Sequence, residues 1–214
     1  MTTRRGKWCC RSAATPRVER DCRPPLAAAG LVVPPQLAHT CAVTSAYAAL
    51  FVDPWLIRAD TGILRLDAGT VRRLLAALGV AGTDGLATAP DLGAACAELF
   101  AVTGAAPRLD PRVDQALRVA MRPGPGSSLT ELAAAVGLSP SRLHALVRES
   151  VGIPLARLRQ WGRLRAAVGV MPGTSAAAAA AAAGFADQAH LTRTSRTLIG
   201  RTPASLYRAA PGRT

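Results

Sequence analysis

The sequence predicts a chain of two regions: a small β-rich region with short helices, then an all-α region. Three observations carry this division. Between Pro24 and Pro54, short apolar runs alternate with turn residues, the punctuation expected of strands. Beyond Pro111, apolar residues recur every three to four positions instead, the period of a helix with one buried face. Within this helical region a single ordered set of signals occurs twice: glycine, large apolar residue, helix cap, leucine. Its two glycines, Gly137 and Gly184, stand 47 residues apart.

Taken in order, residues 1–23 are polar, arginine-rich and without period, and are expected to form a disordered tail. Residues 24–102 form the β-rich region. Its runs "LVV" and "AYAALFV" read as strands, with Pro34-Pro35 and Asp53-Pro54 as turns. Residues 71–78 and 91–102 read as short helices, the second announced by Pro90. Residues 103–109 read as a linker, and 110–209 as the helical domain.

In that domain residues 111–121 suggest a first helix, and "PGPGSS" (123–128) is a turn. Residues 129–136 follow as a helix with Glu131 in its first turn, where a carboxylate suits the positive end of the helix dipole. Gly137 ends it and Leu138 follows. Ser139 then caps, and Pro140 opens, a helix reaching Arg148. Leu143, Leu146 and Val147 make its buried stripe. Helix, short glycine turn and helix together form a helix-turn-helix pattern.

The second occurrence starts at Ser175, which caps the alanine run Ala176 to Ala183. Gly184 breaks the run, Phe185 takes the place of Leu138, and Asp187 caps the next helix. Leu191 matches Leu143 once one extra residue is allowed. Alanine favours helix strongly but buries little area, so this unit's packing is expected to be thin. Between the two units, residues 154–171 read as one long helix with Leu155, Leu158, Trp161, Leu164 and Val168 in period. About 15 residues span roughly 22 Å, enough to hold two small units on one face of a duplex. Gly162 inside it costs about 1 kcal/mol relative to alanine.

Charge narrows the partner. Lys and Arg number 26 against 13 Asp and Glu, and Lys7 is the sole lysine. Guanidinium groups favour bidentate contacts to phosphate and guanine. Residues 1–106 carry 11 basic and 8 acidic side chains, a net +3; residues 107–214 carry 15 and 5, a net +10. A basic second half points to a polyanion, though composition alone leaves an acidic protein or a plain basic surface open.

Catalysis and metal binding find little support. Cys9, Cys10, Cys22, Cys41 and Cys96 form no ligand cluster or disulfide framework, and His39, His144 and His190 are scattered. His39 reads as a turn or sheet-surface residue rather than a ligand. No enzymatic activity, metal or cofactor is expected. No signal peptide or 18-residue apolar span is visible, so the cytoplasm is the expected location and no membrane partner is expected.

The stretches "LTELAAAVGLSPSRLHALVRESVGIPLARLRQWGRLRAA" and "GFADQAHLTRTSRTLIGRTPASL" closely resemble the DNA-binding domain of the AraC/XylS family of bacterial transcription regulators. The family's second unit ends in a line that this chain follows through Gly184, Phe185, Asp187, His190, Arg193, Gly200, Pro203 and Leu206. "VVPPQLAHT" and "AALFVDP" resemble the end of the family's cupin-like sensing domain. The resemblance implies a cupin-like remnant followed by a double helix-turn-helix domain, and hence a sequence-specific regulator of transcription, activation included, acting on double-stranded DNA. RNA polymerase is a further partner it admits. Only about 35 residues look β-like, against some eight strands for a closed barrel, so an intact pocket for a small effector is not expected. Dimerisation is left open.

By the same resemblance Ser141, Arg142 and His144 in the first unit, and Gln188, Ala189, Thr192 and Arg193 in the second, are the base-reading residues. Arg142 suits guanine, Gln188 adenine, and Thr192 or Ala189 a thymine methyl, each pairing worth about 1–3 kcal/mol. Arg148, Arg165, Arg196 and Arg201 are expected on phosphates. Arg193 could instead brace the fold through Asp187. The chain departs from the family at Val147 and Ser195, where phenylalanine is usual, and at Ala176 and Ala179, where bulky β-branched residues are. Ser195 is thus expected to bury a hydroxyl or leave a hole, making the second unit the less stable. Two other readings remain: an effector-independent DNA-binding module, and a decayed paralogue with a protein-interaction role.

Overall fold

The computed structural model describes residues 3–4, 7–11, 17–20, 23–42, 47–57, 62–80, 90–104, 106–122 and 127–207. The chain divides into two compact units at Pro107/Arg108.

Among the described residues the first unit has eight strands: β1 (Thr3–Arg4), β2 (Lys7–Arg11), β3 (Arg17–Arg20), β4 (Arg23–Ala27), β5 (Gly30–Val33), β6 (Ala38–Ala42), β7 (Tyr47–Ala48) and β8 (Leu64–Leu66). They form two antiparallel sheets, ordered β1-β6-β3-β4 and β7-β2-β5-β8. This corrects the expected disordered tail, because β1, β2 and β3 all lie before Pro24. Their sequences carry no alternation. Pairing partners far along the chain make them strands, as where Lys7 to Cys10 align with Val33 to Gly30. The expected strand at 46–52 shrinks to Tyr47–Ala48, and Asp53-Pro54 opens a single 3₁₀ turn, Pro54–Leu56.

Two helices follow, α1 (Ala68–Ala77) and α2 (Leu92–Thr103), capped by the side chains of Asp67 and Asp91. Strand β5 organises this unit because its side chains alternate between two cores. Leu31 and Val33 meet Leu26 of β4 and Cys41 of β6 from the other sheet. Val32 faces the opposite way, into a core with Leu66, Val71, Leu74 and Leu99. Gly30 has to be glycine here: a Cβ would stand 2.7 Å from Cγ2 of Val71 on α1. His39, expected in a turn or at the sheet surface, lies in β6 at 2% exposure. Its Nδ1 is 2.9 Å from the Leu37 carbonyl oxygen.

The second unit is helical: α3 (Pro111–Ala120), α4 (Leu129–Ala135), α5 (Pro140–Val151), α6 (Leu155–Val170), α7 (Ala176–Ala182), α8 (Gln188–Ile199) and α9 (Ala204–Tyr207). Five of these seven helices start on a side-chain cap. Asp110 with Pro111, Ser128 with Glu131 in a capping box, Ser139 with Pro140, Ser175 and Asp187 all accept from first-turn amides. The residues expected to cap α5, α7 and α8 do so. Most of the "PGPGSS" turn lies outside the described residues, and α9 was not foreseen.

Helix α6 touches α3 and α5, and also α7 and α8. Leu155, Leu158, Trp161, Leu164 and Ala167 are buried along it. Gly162 is explained by packing against Met121, since a Cβ would lie 2.5 Å from the Met121 sulfur and 3.1 Å from its Cα. No described helix is long and apolar enough to cross a membrane.

Candidate nucleic-acid interface

The pairs α4–α5 and α7–α8 repeat one another bond by bond. In the first, Gly137 (φ 67°) donates to Ala134 O at 3.1 Å and Leu138 to Ala133 O at 2.9 Å. In the second, Gly184 (φ 76°) donates to Ala181 O at 3.0 Å and Phe185 to Ala180 O at 2.9 Å. Both glycines hold the left-handed conformation that a helix C-terminus favours. Leu138 and Phe185 follow the turns, and Phe185 is buried. Beyond the turn the second pair runs one residue longer, so Leu143 aligns with Leu191. Both are 0% exposed. Each second helix ends alike, at Gly152 and Gly200 with φ 71°, donating to Arg148 O and Arg196 O at 2.9 Å.

This register leaves one face of each second helix in solvent. On α5, Ser141, Arg142, His144, Ala145 and Arg148 are exposed, while Leu143, Leu146, Val147 and Val151 are buried. At about 100° per residue the exposed five fall within an arc of roughly 160°. On α8, Gln188, Ala189, Arg193 and Arg196 are exposed and Thr192 is half-buried, against buried Leu191, Thr194, Ser195, Leu198 and Ile199. Their arc is roughly 140°. All seven residues expected to read bases thus sit on two outward faces, with Arg148 and Arg196 at matching places on them. Arg165 is exposed on α6, and Arg201 is half-buried just past α8.

Ala145, on the same exposed face but not among the residues expected to read bases, occupies in α5 the register position of Arg193 in α8. Aligning the two repeats with the one-residue offset would have found it. His190 is half-buried, its ring edge-on to Phe185 with centroids 5.2 Å apart.

The unit's electrostatics follow from how its acids are used. Asp110 caps α3 and pairs with Arg112 at 2.7 Å, a contact that lowers its pKa to about 2. Asp114 pairs with Arg118. Glu131 accepts from the Ser128 amide at 2.7 Å, and Asp187 accepts from the His190 amide. Four of the five carboxylates in residues 107–214 are therefore engaged by helix ends or α3 arginines; Glu149 is exposed on α5. Among the described residues Arg142, Arg148, Arg193 and Arg196 form no ion pair, so Arg193 does not brace Asp187. Two outward helix faces, each with two arginines and without neutralising acids in contact, suit a polyanion with hydrogen-bonding edges.

Of the two outcomes expected at Ser195, a buried hydroxyl or a hole, the structure shows the first. Ser195 is 0% exposed, and its hydroxyl donates to the Arg201 carbonyl at 2.6 Å, so the buried group is satisfied. The Arg159 guanidinium reaches the Ser127 carbonyl, tying α6 to the segment that precedes α4.

Comparison with known proteins agrees with this geometry. Residues 132–209 match a family model described as a helix-turn-helix domain. No curated protein matches the chain. ToxT from Vibrio cholerae has a similar structure, with TM-score 0.60 and 10% identity over 95% of this chain and 90% of that one. That likeness shows the fold alone. A transcriptional regulator with an AraC-type DNA-binding domain from Chromobacterium violaceum covers 48% of this chain and 96% of its own, at 24% identity and TM-score 0.44. The family match falls on the paired helices just described: residues 132–209 are a helix-turn-helix domain.

Proposed function

We propose that the chain reads double-stranded DNA with two helix-turn-helix units, α5 and α8 entering successive major-groove turns and α6 joining them. The repeated register is the observation that carries this reading, because it gives two helices the same polar outward face. Helix α6, with 16 residues, is roughly 24 Å long, a spacer of the right order for grooves that recur at roughly 34 Å. Ser141, Arg142, His144, Gln188, Ala189, Thr192 and Arg193 read base edges, and Arg148, Arg165, Arg196 and Arg201 hold phosphates. On this reading residues 110–209 are the DNA-binding domain, and the chain's chemistry is binding rather than catalysis.

Selection of bound duplexes from a randomised library with the full chain tests it. The expected product is one site of about two helical turns, its two specified segments separated by roughly 10 base pairs. Binding that depends on salt but selects no sequence would contradict it.

A second reading concerns the first unit. The expectation of too few strands for an effector pocket loses its premise once eight are counted. Eight strands in two sheets is the number a jelly roll uses. ToxT, similar in fold, has been described bound to an unsaturated fatty acid. A small apolar effector is the corresponding proposal here. A rise in melting temperature with added unsaturated fatty acid supports it; no rise at saturating ligand sinks it.

A further inference from the structure

We propose that Ser195 is a positioning residue for DNA contact: its hydroxyl holds the Arg201 carbonyl and so presents the Arg201 guanidinium to a phosphate at the end of α8. The inference rests on the reading of α8 as a DNA-contacting helix and adds a residue to it.

The two helix pairs differ at their closing contact. A helix that ends on a left-handed glycine commonly closes with an apolar contact between the residue after that glycine and one in the helix's last turns. In the first pair those positions are Ile153, after Gly152, and Val147, exposed by 1% and 0%. In the second pair the same positions are Arg201, after Gly200, and Ser195. Both apolar members have been replaced together. Ser195 is as buried as Val147, but Arg201 is half-exposed. The 2.6 Å hydroxyl–carbonyl bond stands where the apolar closure would be. A serine inside a helix often turns its hydroxyl back to a carbonyl one turn earlier; this one reaches six residues forward. The bond fixes the backbone of residue 201 without needing its side chain in the core. The side chain is thereby left outside the core, one turn beyond the exposed Arg196.

The test is the salt dependence of duplex binding by the full chain, followed by fluorescence anisotropy on a labelled duplex. Losing one phosphate contact lowers the slope of log K against log salt by about 0.9. Arg201→Ala is expected to show that loss. Ser195→Ala, and Ser195→Val copied from the first pair, are expected to show it too, and the double variant Ser195→Ala/Arg201→Ala no more than either single. An unchanged slope in both Ser195 variants overturns the proposal, as does an additive loss in the double variant. Failure of the unmodified chain to bind any duplex would overturn the DNA reading itself, a result distinct from these.

Discussion

The two helix pairs share a backbone and differ in what fills it. In α4–α5 the buried side chains are Leu132, Ala133, Leu143, Leu146, Val147 and Val151. In α7–α8 they are Ala179, Ala180, Leu191, Thr194, Ser195, Leu198 and Ile199. Leu132 becomes alanine, Leu146 becomes threonine and Val147 becomes serine at matching positions, yet caps, turn bonds and terminal glycines are kept. Local signals thus suffice to set the shape of a helix pair, while the volume of its core can vary around them. The thin core leaves no unsatisfied hydroxyl at Ser195, because that group found a carbonyl instead.

The largest effects should come from the two aligned leucines. Leu143→Ala and Leu191→Ala are each expected to cost about 2–5 kcal/mol, measured by denaturant unfolding. Leu143→Ala should cost more, since larger buried residues surround the first pair's core and hold a cavity open. The reverse order would break the comparison. Next comes Ser195→Phe. With Ser195 fully buried and hydrogen-bonded, the added ring should overpack the site and lower stability by about 1–3 kcal/mol. A raised melting temperature would reveal unfilled space after all.

Smaller effects should sharpen the match between the pairs. Ser139→Ala and Asp187→Ala each remove a helix cap, at a cost of about 1 kcal/mol. Asp187→Ala should cost more, because a carboxylate accepts more strongly than a hydroxyl. The smallest effect lies outside both pairs, at Asp110. Its partners, chiefly the Arg112 side chain, lower its pKa from 3.8 to about 2. A carboxyl whose folded pKa is depressed adds stability above its unfolded pKa and loses it as pH falls through the folded one. The stability difference between the parent and Asp110→Asn should therefore be constant above about pH 4 and vanish towards pH 2. A difference unchanged down to pH 2 would contradict the pairing.

Much of the second unit was legible in its sequence because its signals are local. A cap, a proline at the first helical position, a glycine at the end and apolar residues at helical spacing all act within a few residues of one another. The outward faces of α5 and α8 followed from the same period. The first unit was less legible because its strands depend on distant partners. "KWCCR" is a strand through its alignment with residues 30–33 and 47–48, and nothing in its own pattern marks it. Gly162 read as a cost until its contact with Met121 explained it. The Ser195–Arg201 bond was hidden for the same reason: a family comparison marks Ser195 as a loss of bulk, whereas the folded turn supplies its acceptor.

The most direct test of two readers in one chain compares the base preferences of Arg142→Ala and Arg193→Ala with those of the parent, each selected from the same randomised duplex library. Each variant is expected to relax preference in one segment only. The two segments should differ and lie one helical turn apart, roughly 10 base pairs. Relaxation of the same segment by both variants, or a uniform loss of affinity with every preference intact, would contradict it.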